Sequence, residues 1–266
     1  MKSITDVGLR DVTAVYGGPE GDLWELLMGH QIHIGGFKSS MDLAERAGIG
    51  VGLRGVDLCC CNGAGMRFLV RFREAAGMTG VDATETVVTR GRQRCQEEGL
   101  ADRIRFVVGD VCNSGLPTGS ADFVWGEDAW CYVTDKDKLV SEAARLLKVG
   151  GIVAFTDWVE GPAGLTSEEA ARFNTFMKFP DMQTVPGYRA LLEKHGFDVR
   201  EAAPIEFAKY VDLYIAMLTE QLTFDALRIL GGDMELFKSL GAEMVDMQQK
   251  THAGKIGRGR FIGVKK

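Results

Sequence analysis

From residue 55 onward the chain alternates short apolar runs with longer stretches of helical spacing. "GVDLCCC" precedes "MRFLVRFREAA", "MTGVDA" precedes "ETVVTRGRQRCQEEGL", and after "IRFVVGD" and "ADFVWGED" come "KDKLVSEAARLLKVGG" and "IVAFTDW". Unbroken apolar runs suit strands buried on both faces, and their separation by helices predicts an α/β domain with a parallel sheet covered on both sides. "PGYRALLEKHGFDVREAAPI" adds another helix and strand, and "RGRFIGVKK" reads as a closing strand. Two segments break the alternation. Residues 1–50 show helical spacing at Leu23, Leu26 and Leu27, interrupted by Gly35-Gly36 and resumed from Ser40, which predicts an N-terminal helical cap. Residues 205–253 are rich in methionine and leucine, with Met234, Phe237, Met244 and Met247 near one helical face, a pattern expected of packing. The division is therefore a cap over 1–50, a core over 51–204, an inserted helical lid over 205–253 and a closing strand over 254–266. Cap and lid both lie where they can close over the carboxyl edge of the sheet and exclude water.

Composition narrows the partners. With 266 residues and 45% hydrophobic content, the chain can bury one core and still carry an appendage. A net charge of −6, from 31 basic and 37 acidic residues, argues against a nucleic-acid partner. No run is long and apolar enough for a membrane helix, and "MKSITDVGLRDV" lacks the apolar centre of a signal peptide, so the expectation is cytoplasmic, with no membrane partner. Six cysteines without a CxxC pair predict neither a disulfide framework nor a metal site. The run Cys59-Cys60-Cys61 then reads as small buried hydrophobes.

Open parallel sheets bind ligands beyond the carboxyl ends of their strands, at the first strand-to-helix turn. Here that turn reads D-x-C-x-C-x-G, with Asp57, Cys59, Cys61 and Gly63; cysteine stands twice where a glycine fingerprint would have glycine. Since a left-handed backbone costs a non-glycine residue about 1–2 kcal/mol, Cys59 and Cys61 are expected at extended angles, leaving Gly63 and Gly65 to bend. Two further acids follow at suitable distances. Asp82 ends the second apolar run and is placed to accept from both hydroxyls of a ribose; Asp110, followed by Val111, is placed to accept from an adenine amino group. A phosphate-bearing dinucleotide needs the missing glycines, whereas a sulfonium nucleoside does not, so a nicotinamide-dependent oxidoreductase is the weaker reading.

These motifs resemble the class I S-adenosylmethionine-dependent methyltransferases. "FVWGEDAWCYVTDKDKLVSEAARLLKVGGIVAFTDW", residues 123–158, is similar to the fourth and fifth strands of the sarcosine/dimethylglycine N-methyltransferases and their tocopherol-type relatives, as are "GHQIHIGGF" and "GKIGRGRFIGVKK". The resemblance implies a Rossmann-like, seven-stranded, mostly parallel sheet and S-adenosylmethionine as cofactor, with S-adenosylhomocysteine as product. It implies that Gly63 and its neighbours, among them Asp57, Cys59 and Cys61, meet the methionine portion. Asp82 and Ala83 then serve the ribose, Asp110 and Val111 the adenine, and Glu127 and Asp128 border the methyl group and the substrate. The two cysteines and "EDAWCY" depart from the group's usual pattern.

Methyl transfer is an in-line displacement governed by alignment, worth about 7–11 kcal/mol, and needs no nucleophilic side chain. No GxSxG or HExxH occurs. His33, Asp128 and Tyr16 are the candidates for a catalytic role, His33 as proton acceptor. Trp130, Tyr132 and Trp158 are candidate walls for an acceptor, with cation–π contact available to a charged product. Arg189, with Arg258, is a candidate to meet an acceptor carboxylate. Simpler roles stand beside each: a turn for His33, a helix cap for Asp128, core for Trp130 and Tyr132. The expected function is N-methylation of a glycine, sarcosine or dimethylglycine type of amine. O-, S- or C-methylation of another small molecule is the runner-up, followed by a ligand-binding module without turnover. A monomer or homodimer is expected.

Overall fold

The structure, a computed structural model, describes residues 7–266. Three helices come first, α1 (Leu9–Tyr16), α2 (Pro19–Met28) and α3 (Gly36–Ala47). There follow β1 (Arg54–Leu58), α4 (Ala64–Phe72), β2 (Gly77–Asp82), α5 (Glu85–Glu97), β3 (Ile104–Val108) and β4 (Ala121–Glu127). A 3-10 turn at Trp130–Tyr132 leads to α6 (Lys136–Leu146), β5 (Leu147–Glu160), α7 (Ser167–Met177), the two-residue β6 (Gln183–Thr184), α8 (Val185–Lys194) and β7 (Phe197–Ile205). The insertion holds α9 (Ala208–Ala216), a π-helical turn at Met217–Gln221, α10 (Thr223–Ile229) and α11 (Met234–His252), after which β8 (Ile256–Lys265) closes the chain.

The sheet runs β3-β2-β1-β4-β5-β8-β7, with β6 beside the end of β5. Strands β1 to β5 pair in parallel, and β8 enters antiparallel between β5 and β7. Strand β8 can do this because the helical insertion returns the chain to the far end of the sheet. Alternation within the central strands sends neighbours to opposite faces. On β4, Phe123 and Trp125 join α3 and α4 on one face, while Val124 joins α6 and α8 on the other. The turn residues Asp57 to Gly63 and the end of β4 flank the point where the strand order reverses, the crevice in which open α/β sheets hold ligands.

A third apolar cluster lies off the sheet. Leu23 and Leu27 of α2 meet Phe173 and Met177 of α7, Val211 and Tyr214 of α9, and Met244 and Met247 of α11. Cap and insertion thus share one core above the carboxyl edge of the sheet. The expected apolar face of α11 is narrower than its sequence spacing indicated: Met244 and Met247 are buried and Phe237 partly so, but Met234, at the helix start, is 48% exposed. Arg90 and Arg94 of α5 fasten α2 to the core through Asp22 and Glu25. Among the described residues no helix is long and apolar enough to cross a membrane.

Candidate functional site

The turn after β1 is left-handed at three residues. Cys59, Cys61 and Gly63 have φ of +68°, +47° and +73°, so the extended angles expected of the two cysteines are overturned. Backbone amides hold the strained turn in place: Cys59 and Cys60 donate to the Val81 carbonyl and Cys61 donates to Asp82 Oδ2, at 2.9, 3.2 and 2.8 Å. Tethering to the end of β2 offsets a cost of about 1–2 kcal/mol per cysteine. Gly63 bends as expected, and a Cβ there would lie 2.4 Å from the Phe106 ring. Gly65 takes no part in the bend and lies in the first turn of α4. A Cβ on it would point at Trp125 Nε1, Glu127 Oε2 and Asp57 Oδ2, 3.0–3.4 Å away, so its lack of a side chain keeps an acidic recess open.

That recess belongs to a cavity of about 350 Å³, the size of an ordinary small-molecule site. Along its floor stand Asp57, Asp82, Asp110, Glu127 and Asp128, each set by a strand end. Burial, then Glu127 and Asp82, push the Asp57 carboxyl well above the usual range. Burial also raises Asp82, against the two amides, Cys61 and Thr84, that donate to it. Glu127 accepts from Ser40 Oγ at 2.9 Å and from the Trp125 indole at 3.0 Å. Among the described residues the only lysine lining this cavity, Lys138, is 71% exposed and paired with Asp135 at the Asp110 end. The recess therefore favours a cationic ligand, whose charge would stabilise carboxylates that burial and mutual repulsion destabilise.

His33 is buried beside this floor. Its Nε2 lies 3.0 Å from Ser40 Oγ and 3.4 Å from Glu127 Oε2. Ser40 Oγ donates to Glu127 and stands between that carboxylate and the His33 ring, so it links the two side chains. His33 Nδ1 lies 3.3 Å from the Ile34 carbonyl, which accepts when that nitrogen carries hydrogen. Asp128 takes φ of +55° and is fully engaged: Ile34 N donates to Oδ2 at 2.8 Å, and Arg258 Nε to Oδ1 at 2.6 Å. Tyr16 of α1 and Tyr132 face each other with hydroxyls 2.6 Å apart, both held neutral by burial. One hydroxyl donates to the other, leaving one hydrogen for a ligand.

Of the residues singled out in the sequence, Tyr16, His33, Asp57, Cys59, Cys61, Asp82, Ala83, Asp110, Val111, Glu127, Asp128 and Tyr132 line the main cavity. Gly63 lies behind it and shapes the turn. Three do not reach it. Trp130 is fully buried in the cluster that α6 and α8 form on the sheet, stacked on Phe155 at 4.0 Å with its indole donating to the Leu58 carbonyl; the 3-10 turn it opens directs it inward. Arg189 is exposed on α8 and pairs with Glu193, and α8 packs against β7, away from the crevice. Trp158 faces a smaller side cavity among Phe173, Phe179 and Phe207. Arg258, the other candidate for a carboxylate, is spent on Asp128, Ser39 and Thr156. Sequence reasoning missed Ser40, the bridge between His33 and Glu127, and Leu9 and Val12 of α1, which wall the cavity. The helical spacing located α3 but carried no sign of a polar contact across 87 residues.

Residues 56–155 match the model of a methyltransferase domain family. A curated relative, methyltransferase GfsG of Streptomyces halstedii, is 27% identical over 174 residues, covering 64% of this chain. The chain spans 62% of that relative's length, less than two thirds. Among solved structures, a Galdieria sulphuraria protein described as a candidate sarcosine dimethylglycine methyltransferase is 22% identical with a TM-score of 0.74, covering 86% of this chain and 85% of that one. The [4+2]-cyclase SpnF is 20% identical with a TM-score of 0.80, covering 97% and 96%. Structures of this fold include complexes with S-adenosylmethionine and S-adenosylhomocysteine. The fold is the Rossmann-like one the sequence resemblance implied, in which such neighbours hold S-adenosylmethionine, and its residues 56–155 match the methyltransferase domain. The acidic recess left open at Gly65 fits that cofactor, which bears a sulfonium and an ammonium.

Proposed function

We propose that this protein transfers the methyl group of S-adenosylmethionine to a small-molecule acceptor. The convergence of Asp57, Asp82 and Glu127 on one recess, with Lys138 exposed at the Asp110 end of the cavity, carries this reading. In it, Asp82 with Ala83 receives the ribose, Asp110 and Val111 the adenine, and Asp57, Glu127 and the turn from Cys59 to Gly63 the amino-acid end. When bound, the cofactor supplies a methyl group on a positively charged sulfur that departs as a neutral thioether. The protein's part is to align, to exclude water and to take a proton. Tyr16, His33 and Tyr132 lie where the main cavity meets its neighbour, and His33 is the residue to take a proton released by a hydroxyl or amine acceptor. Asp128 orients Arg258 and the backbone of Ile34, a positioning role.

Amine and oxygen or carbon acceptors ask different things of the pocket. A glycine-type amine brings a carboxylate, and Arg189 and Arg258 are both placed where they cannot meet one. Methylation of a neutral oxygen or carbon is therefore the reading this geometry supports best. Amine methylation, to which the likeness to the Galdieria protein points, is second. Calorimetric titration with S-adenosylmethionine and with NAD, followed by a screen of amines, thiols, phenols and alcohols for S-adenosylhomocysteine production, tests the assignment. Tight binding of the sulfonium and none of NAD is expected. Failure to bind it ends the proposal, and binding without turnover against any acceptor would point to the other uses of this fold, of which the cyclase is one.

A further inference from the structure

Two small cavities continue from the main one, each about 20 Å³, room for a single water. The first shares Tyr16, Ile32, His33, Asp128 and Tyr132 with the main cavity; the second shares Trp24, Met177 and Met244 with the first. They therefore lie in series, from the cofactor recess, under α2, towards Glu20, Phe176 and Lys178. The polar groups on the middle section are already engaged. His33 bonds Ser40, Asp128 is held by Arg258 and Ile34, Tyr214 accepts from Gly35 N, and Tyr16 and Tyr132 bond each other. The remaining wall is apolar, with Met28, Met177, Met244 and Met247 beside Trp24 and Trp158.

Three features make this series able to open. Methionine side chains adapt to irregular occupants at little cost. The outer cavity touches Leu218 within the π-helical turn, a local distortion that recurs at functional positions. Ile32, a β-branched residue on the wall common to the main and middle cavities, is held at φ of +48°, a strained conformation of the kind found at ligand clamps and switch segments.

Resting on the methyltransferase reading above, we propose that the three cavities form one passage for an elongated, neutral, apolar acceptor, whose reacting atom stops at the Tyr16–Tyr132 hydroxyl pair while its body lies among the methionines. The passage offers an amino-acid acceptor no partner for a carboxylate in its middle section.

The test uses the full chain saturated with S-adenosylhomocysteine, with farnesol and 1-dodecanol as neutral elongated probes and sarcosine as the amino-acid probe. Both alcohols are expected to bind and change the tryptophan fluorescence, with most of that change lost in Trp24→Phe; sarcosine is expected to produce no heat or fluorescence response. Met177→Trp and Met244→Trp, made separately to fill the passage, should each weaken farnesol binding at least tenfold and leave affinity for S-adenosylhomocysteine within twofold, which also reports that the variants fold. Binding of sarcosine in place of the alcohols, no binding of either alcohol, or alcohol binding unchanged in both filled variants overturns the passage. Absence of S-adenosylhomocysteine binding in the unaltered protein is a separate result and overturns the methyltransferase reading instead.

Discussion

Arg258 of β8 and Asp128 at the end of β4 form a buried ion pair 2.6 Å apart, with side chains 1% and 4% exposed. The pair joins the last strand of the chain to the central crevice and fixes the loop through Ile34, so it couples the closing strand, the cap and the site. Removing one partner leaves a buried charge unmatched, a loss of about 3–5 kcal/mol. Arg258→Met is expected to lower unfolding stability by that order in urea titration. Asp128→Asn with Arg258→Met should recover much of it; a single variant within 1 kcal/mol of the parent, by the same titration, would contradict the role given to the pair.

In the proposed function, Asp57 links cofactor binding to pH. Its carboxyl is raised by burial and by Glu127 and Asp82, so before a cation arrives it holds a proton to a higher pH than an ordinary aspartate does. A bound cation favours the ionised form, and binding therefore releases a proton. Affinity for S-adenosylmethionine should rise as pH rises through the folded pKa of Asp57. Calorimetry in buffers of different ionisation enthalpy should register the released proton in the parent and lose it in Asp57→Asn, which should bind about tenfold or more weakly.

Asp157 governs stability rather than binding. Burial raises its carboxyl to about 7, against the Tyr188 hydroxyl and the Cys131 amide that donate to it. The folded state holds this proton more tightly than the unfolded chain does, so its stabilising contribution is complete below the unfolded pKa of about 4 and is lost as pH climbs to 7. The loss is on the order of 3–4 kcal/mol. Asp157→Asn, which keeps a polar partner for Tyr188, should flatten the fall in stability between pH 4 and 7. Equal slopes for parent and variant in that window would remove Asp157 as the cause.

The cap is the least anchored part of the site. Helix α1 buries only Val12 fully, yet with Leu9 and Tyr16 it walls the cavity. Deleting residues 1–17 should leave a folded chain that binds S-adenosylhomocysteine, with turnover reduced by tenfold or more once an acceptor is known. Undiminished turnover would show that α1 is no lid.

Much of this architecture was legible from periodicity alone, because strands buried on both faces leave unbroken apolar runs and the helices between them must cross over. The acids at 57, 82, 110 and 127 were legible too, since a strand end is a place the chain announces. What resisted was direction and distance. Trp130 and Tyr132 are two residues apart in a tight turn, yet one packs under the sheet and the other faces the cavity, a difference set by the turn's geometry and invisible to spacing. The backbone angles of Cys59 and Cys61 were misjudged because propensity penalises them; tertiary hydrogen bonds to Val81 and Asp82 override it. Ser40 and Arg258 reach their partners across 87 and 130 residues, and one sequence has no term for that.

Cys59, Cys60, Cys61 and Cys112 line the chamber in which the proposed function places a methylating agent. Sulfur attacks as its anion, and burial raises all four thiols, Cys112 to about 12, so that they stay protonated. The chamber thus withholds from its own walls the reactivity it reserves for a guest, and is protected against alkylating itself.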